Sequence, residues 1–353
     1  MSIKKKIICL LMSFAITAAI IPSGGVRPFY ITSAQASAAG EKVIPGGKSI
    51  GVTLKADGVI VTALAEITDK EGNAVSPAKD AGIKIGDLIK SFNDTEIDGV
   101  DELTTLIESV GETPAKMSLM RNGKKVSAVI RPQTSKEDGK QKIGAWVKDA
   151  ASGIGTITFY NPETGFFSAL GHGITDADSG ELIAIDGGEI LNSTIVSVEK
   201  SKKGSPGELK GIFSENGDPI GKITSNSCFG ISGKINSDFS IAAEAVEIAS
   251  KSEICPGSAC IISNVEGNQT ERFDVEILRV LPEYNGSSKN MIIKITDENL
   301  LSKTGGIVQG MSGSPILKDG KLVGAVTHVF VNDPTRGYGI FIENMLTEAE
   351  KVK

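Results

Sequence analysis

The chain has 353 residues and a formal net charge of −6, with 41 glycines against 12 phenylalanines and one tryptophan. That length allows two ordinary domains, and so many glycines with so few aromatics predict short strands and turns, not long packed helices. The charge is mild and dispersed, with no basic run beyond Lys4-Lys5-Lys6, which excludes a nucleic-acid-binding protein.

Lys4-Lys5-Lys6 precede an apolar run over 7–21, broken by Pro22. A basic head with a short apolar core has the form of an export signal and is short for a membrane span. Residues 1–21 are therefore expected to be a signal or anchor segment, and the Ser/Ala/Gly-rich stretch 22–47 a flexible leader. The expectation is export across the cytoplasmic membrane with a membrane-tethered stage. A compact unit follows over 48–132, with strands expected at 49–54, 58–64, 88–92, 115–121 and 124–131. Asn122-Gly123 between the last two is a hairpin turn. A short helix is expected over 76–82 and a longer amphipathic one over 99–110, with Val100, Leu103, Leu106 and Ile107 on one face. Polar residues 133–141 read as a linker.

From 142 onward short strands and glycine-rich turns recur closely, the pattern of an all-β barrel or sandwich, before a terminal helix over 343–352. Besides Cys9 in the signal there are Cys228, Cys255 and Cys260, an odd number that leaves at least one unpaired. Cys255 and Cys260 are close enough in sequence to bridge locally or to stay reduced. No His/Cys cluster points to a metal, and no cofactor is expected.

The chemistry concentrates in Gly310-Met311-Ser312-Gly313-Ser314-Pro315. A serine between glycines in a tight turn can present its hydroxyl, and the N–H groups of Gly310 and Ser312 can converge on one oxyanion. A serine hydroxyl needs a base, and the chain offers two histidines, His172 and His328. His172 lies in Leu170-Gly171-His172-Gly173-Ile174, where flanking glycines give the ring room at a loop tip. The third member is open on spacing alone: Asp238 and Asp297 are rivals, and Asp297 also reads as a helix N-cap.

Two resemblances extend this reading. Ser76-Pro77-Ala78 with Ala81-Gly82-Ile83-Lys84-Ile85-Gly86-Asp87-Leu88-Ile89 resembles a bacterial PDZ domain. That resemblance makes Ser49-Ile50-Gly51-Val52 the expected peptide-carboxylate loop, with substrate recruitment or self-association as its use. The serine segment, with its following strand-turn-strand over 315–327, looks like the GDSGGP region of chymotrypsin-like proteases, Met311 and Ser314 standing at two altered positions.

The whole chain after its leader resembles the SpoIVB peptidase family of spore-forming bacteria. Gly171-His172-Gly173-Ile174, the run 304–315 and the run 324–334 carry this likeness. It implies a mainly β protein, an N-terminal PDZ domain (48–132) followed by a chymotrypsin-like double β-barrel serine protease domain (142–353). It also implies His172 as base, Asp297 as third member and Ser312 as nucleophile. The substrate would be a membrane-bound regulator of a protease, cut in the intermembrane space of the developing spore. His328 is expected beside the triad or at the substrate edge, and Gly306, six residues before Ser312, argues against strict Lys/Arg selectivity. The competing class is a PDZ scaffold with a silent protease-like barrel.

Overall fold

The computed structural model describes residues 41–350, apart from 176–179, 181, 214–216, 237 and 283–286. The expected signal segment and the leader up to residue 40 lie outside the described residues. The end of that leader is a strand, β1 (Lys42–Pro45), because Val43 is fully buried and the backbone pairs on both sides, with 159–160 and with 246–247.

The next strand, β2, runs sixteen residues from Ser49 to Leu64. Its second half enters a module built from β3 (Leu88–Phe92), β4 (Ala115–Arg121), β5 (Lys124–Ile130) and the helices α1 (Pro77–Asp80) and α2 (Val100–Val110). The module has its own core, in which Leu103 and Ile107 of α2 meet Phe92, Met117 and Leu119. Asp87 is fully buried there, and its carboxylate takes two bonds from Arg121, at 2.6 Å each, and one from the Lys84 N–H at 2.8 Å. Breaking such a pair would leave a buried charge uncompensated, so it ties β4 to the turn before β3. The chain leaves the module along β6 (Ala145–Tyr160), which pairs with β2 over most of its length.

The rest of the fold is built on two six-strand rings. The first uses β2, β6, β7 (Phe166–Ala169), β8 (Ile185–Asn192), β11 (Gly221–Ser227) and β12 (Gly230–Ile235). Between β8 and β11 an arm of two strands, β9 (Thr194–Glu199) and β10 (Glu208–Ile212), leaves the ring. The second ring uses β13 (Gly257–Glu266), β14 (Gln269–Val280), β15 (Met291–Ile295), β16 (Pro315–Lys318), β17 (Lys321–Val329) and β18 (Arg336–Phe341). Helix α3 (Glu298–Thr304) joins β15 to β16, and α4 (Ile342–Glu350) closes the chain. Both rings have one pairing order: taken in sequence, first, second, third, sixth, fifth, fourth, and back to the first. A cluster including Val43, Phe159, Ala325, Ile340 and Met345 welds the rings to each other and to α4.

Three expectations need correction. Ile50, Gly51 and Val52 are not a carboxylate loop, because they lie inside β2, buried and paired to β6 on one side and β8 on the other. Their N–H groups are therefore committed to ladders. Nor does the boundary at 142 separate the units. The first ring cannot close without residues 49–56, so the module is an excursion between two paired strands of that ring. Residues 133–141, expected as a linker, fold back so that Gln133–Thr134 pairs with Gln141–Lys142. None of Cys228, Cys255 and Cys260 is joined in a disulfide. Among the described residues no helix is long and apolar enough to cross a membrane.

Candidate active site

The shared ring order gives the site its logic. His172 follows the third strand of the first ring, and Ser312 precedes the fourth strand of the second, so the two loops occupy equivalent third-to-fourth connections. The rings meet here. Thr156 of β6 donates its N–H to the Ser312 carbonyl (3.2 Å) and its hydroxyl to the Gly310 carbonyl (2.7 Å). At Gly313, with φ +97°, any Cβ would overlap the Thr156 carbonyl oxygen and crowd Leu170. Only glycine lets the serine turn approach the first ring this closely.

His172, Ser312 and His328 line one cavity of about 420 Å³, together with Val52, Ile154, Leu170, Ile307, Val308, Gln309, Gly310 and Thr327 among others. The Nδ1 atom of His172 lies 3.0 Å from the Gly173 carbonyl. A carbonyl can only accept, so Nδ1 carries the proton and Nε2 keeps the lone pair that can act as base. The loop is held at its far end by Asn226, which accepts from the Ile174 N–H and donates to the Ile174 and Ile183 carbonyls, all at 2.9 Å. Burial holds the His172 pKa below the usual imidazole value, partly opposed by its bond to Gly173.

Ser312 Oγ donates to the Thr327 carbonyl at 2.7 Å. The hydroxyl is thus parked on β17 in this resting arrangement, and rotation about its χ1 frees it to face the cavity. Resting hydrolase sites often hold such looser geometry. The N–H groups of Gly310 and Ser312 donate to no other group among the described residues, which leaves them available to an acceptor in the cavity.

His328 stands directly against His172, with ring centroids 4.9 Å apart and planes tilted by 41°. Burial, then the neighbouring charges of His172 and Lys289, push its pKa down to about 4, so it is uncharged at neutral pH. Its Nδ1 is buried without a partner.

Asp297 is elsewhere. It is the N-cap of α3: one carboxylate oxygen accepts from the Leu300 N–H at 2.9 Å and the other from the Asp274 N–H at 3.3 Å. It does not line the cavity, and neither does Asp238 or any other carboxylate among the described residues. Asp297 therefore sits at the start of the helix that leads into the serine loop. Sequence reasoning missed Thr327 as the resting partner of Ser312 and Val52 as a cavity wall. Both contacts join residues more than a dozen positions apart, and no local pattern announces them.

The family described as SpoIVB peptidase S55 matches residues 139–346. A curated relative, the probable protease eep of Enterococcus faecalis, is 31% identical over 84 residues, which are 22% of this chain and 20% of that protein. The chain thus spans about a fifth of the curated relative it matches. Two solved structures are also similar. One is the HtrA-type protease AlgW with a decapeptide, at 13% identity, TM-score 0.33, covering 60% of this chain and 53% of that one. The other is an inactive form of the Rv3671c protease, at 12% identity, TM-score 0.33, covering 56% and 84%.

Proposed function

The chain belongs to the SpoIVB peptidase S55 family and is a serine peptidase, and from that premise we propose that Ser312 is its nucleophile and His172 its general base. The observation that carries this is the meeting of the two loops in one cavity, with His172 Nε2 free and two N–H groups unspent beside the serine. In the reaction Ser312 Oγ leaves the Thr327 carbonyl, passes its proton to His172 Nε2 and attacks the scissile carbonyl. The Gly310 and Ser312 N–H groups receive the oxyanion, and His172 returns the proton to the leaving amine. The Gly173 carbonyl holds the ring in the required tautomer, a task given to a carboxylate in many triads.

The cavity walls say what fits. Val52, Ile154, Leu170, Ile174, Ile307, Val308 and Val329 are apolar, and no Asp, Glu, Lys or Arg side chain lines the space. An ammonium or carboxylate entering it would lose water without gaining a partner. Peptide libraries should show apolar residues at the position filling this cavity, preferred over Lys, Arg, Asp and Glu by about 100-fold. Cleavage mainly after Lys or Arg would contradict this assignment.

The natural substrate in this reading is a membrane-associated regulatory protein, cut after export in the space around a developing spore. The family supports the sporulation setting, and the basic-apolar segment at 4–21 supports export. The module acts as a PDZ domain whose groove is not at 50–52 but between α2 and the start of β6. A groove of about 420 Å³ lies there, lined by Leu103, Ile107, Ile143, Gly144, Ala145 and Trp146. A chain terminus, from substrate or a second copy, would add there as a strand. Trp146, the single tryptophan, is 68% exposed on this groove, so peptides with a free C-terminal carboxylate should shift its emission. Amidated peptides that shift it equally would remove the carboxylate from this account.

A further inference from the structure

The arm formed by β9 and β10 reaches from the first ring to the second and grips the loop that carries Ser312. The Ser201 N–H donates to the Thr304 carbonyl (2.8 Å), and the Gly204 N–H donates to the Val331 carbonyl (2.8 Å). Closer to the chemistry, the Gln309 N–H donates to the Gly207 carbonyl (2.8 Å), and the Leu209 N–H donates to the Gln309 carbonyl (2.9 Å). Glu208 and Gln309 form a parallel bridge, so both backbone groups of Gln309 are committed to the arm.

This has a geometric consequence. The peptide between Gln309 and Gly310 is planar and trans, so its C=O and N–H point in opposite directions. With the Gln309 carbonyl turned toward Leu209, the Gly310 N–H must turn away from the arm. Gly310 has φ +94° and lines the cavity, and Leu209, 1% exposed, packs directly beneath it. A peptide flip here would take the Gly310 donor out of the oxyanion site and present a carbonyl instead, which repels the developing charge.

We propose that the β9–β10 arm is the positioning element of the oxyanion hole, with Leu209 as its central residue: its N–H fixes the 309–310 peptide and its side chain supports Gly310. This rests on the reading of Ser312 as nucleophile and of the Gly310 and Ser312 N–H groups as oxyanion donors. The oxyanion hole is thus completed by an arm that belongs to neither ring, and the state of that arm sets the turnover.

The Leu209 N–H is spent on Gln309, outside the β9–β10 ladder, so Leu209→Pro removes the clamp without removing a rung. Leu209→Ala keeps the N–H and removes only the support. In Leu209→Pro, kcat should fall about 10²- to 10³-fold, the worth of one oxyanion donor, with KM within about threefold of wild type. Affinity for a peptide boronate, which places an oxygen in the hole, should fall in parallel with kcat, while affinity for a cleaved product peptide stays unchanged. Leu209→Ala should show the same pattern at smaller size. A merely structural role would instead lower the melting temperature and the fraction of titratable sites and leave kcat per active site unchanged. If Leu209→Pro fails to melt cooperatively, Leu209→Ala and a shortened turn replacing 200–206 decide the matter. Wild-type kcat per active site in folded variants overturns the proposal. Failure of the wild type to label with a fluorophosphonate would refute the serine assignment itself, a separate outcome.

Discussion

Ser312→Ala should abolish peptide-bond cleavage, lowering kcat by about 10⁴-fold or more while leaving the fold intact. The size follows from the chemistry: without Oγ there is no acyl intermediate, and the remaining oxyanion donors and cavity cannot supply a nucleophile. The fold should survive because the lost hydroxyl makes one bond, to the carbonyl of Thr327, and both residues line the cavity, where a water can take the place of the hydroxyl. Labelling with a serine-reactive fluorophosphonate, read by mass of the tryptic peptide containing 312, checks the assignment directly. A variant that still turns over, or a wild-type label at another serine, would remove Ser312 as the nucleophile.

Removing His172 should cost nearly as much, about 10⁴-fold in kcat for His172→Ala, because a hydroxyl without its base is a poor nucleophile. The pH dependence sharpens this expectation. Burial holds the His172 pKa below its ordinary 6.5. The neutral, basic form is therefore present at and above pH 6.5 and is lost as pH falls through the lowered value. The acid limb of kcat/KM should accordingly have its midpoint below 6.5. A midpoint above 6.5 would mean that a nearby negative charge holds the imidazolium, the situation Asp297 would create if it were the partner of His172. The same question can be put to Asp297 itself. Asparagine still accepts the Leu300 N–H, so Asp297→Asn should keep the cap and retain kcat within about tenfold, whereas Asp297→Ala should lose about 1 kcal/mol of stability. Loss of activity in the folded asparagine variant as complete as in Ser312→Ala would restore Asp297 as the charged third member.

What could be read from the sequence was what lies within a few residues. The serine turn and the loop at 170–174 declare themselves because their glycines sit beside the reactive side chains, and the structure brings both to one cavity. The segment 81–89 likewise shows its turn glycines, Gly82 and Gly86, though neither the burial of Asp87 nor its pairing with Arg121. Residues 49–64 misled for a physical reason. Their interruption at Asp57-Gly58 looks like the end of a strand, but Gly58, at φ +125°, lets one strand bend from the protease ring into the module. Asp297 was ambiguous because a carboxylate before a helix suits capping and catalysis equally, and only the positions of Leu300 and Asp274 show how its oxygens are used. The arm was invisible to any local pattern: Gly207 and Leu209 meet Gln309 across about a hundred residues of chain.

Because β2 is shared, the boundary suggested by sequence likeness and the boundary that can fold are different. The S55 match begins at residue 139, after the chain has already laid down the strand that seals the first ring. A fragment starting there would expose the ladder edges of β6 and β8 that β2 normally covers, an invitation to aggregate. Any segment meant to stand alone as a peptidase must begin before Lys42, or join 56 directly to about 150 by a short hairpin. By the same continuity, a tug on the module is felt along β2 at Val52, where the strand forms a wall of the cleavage cavity.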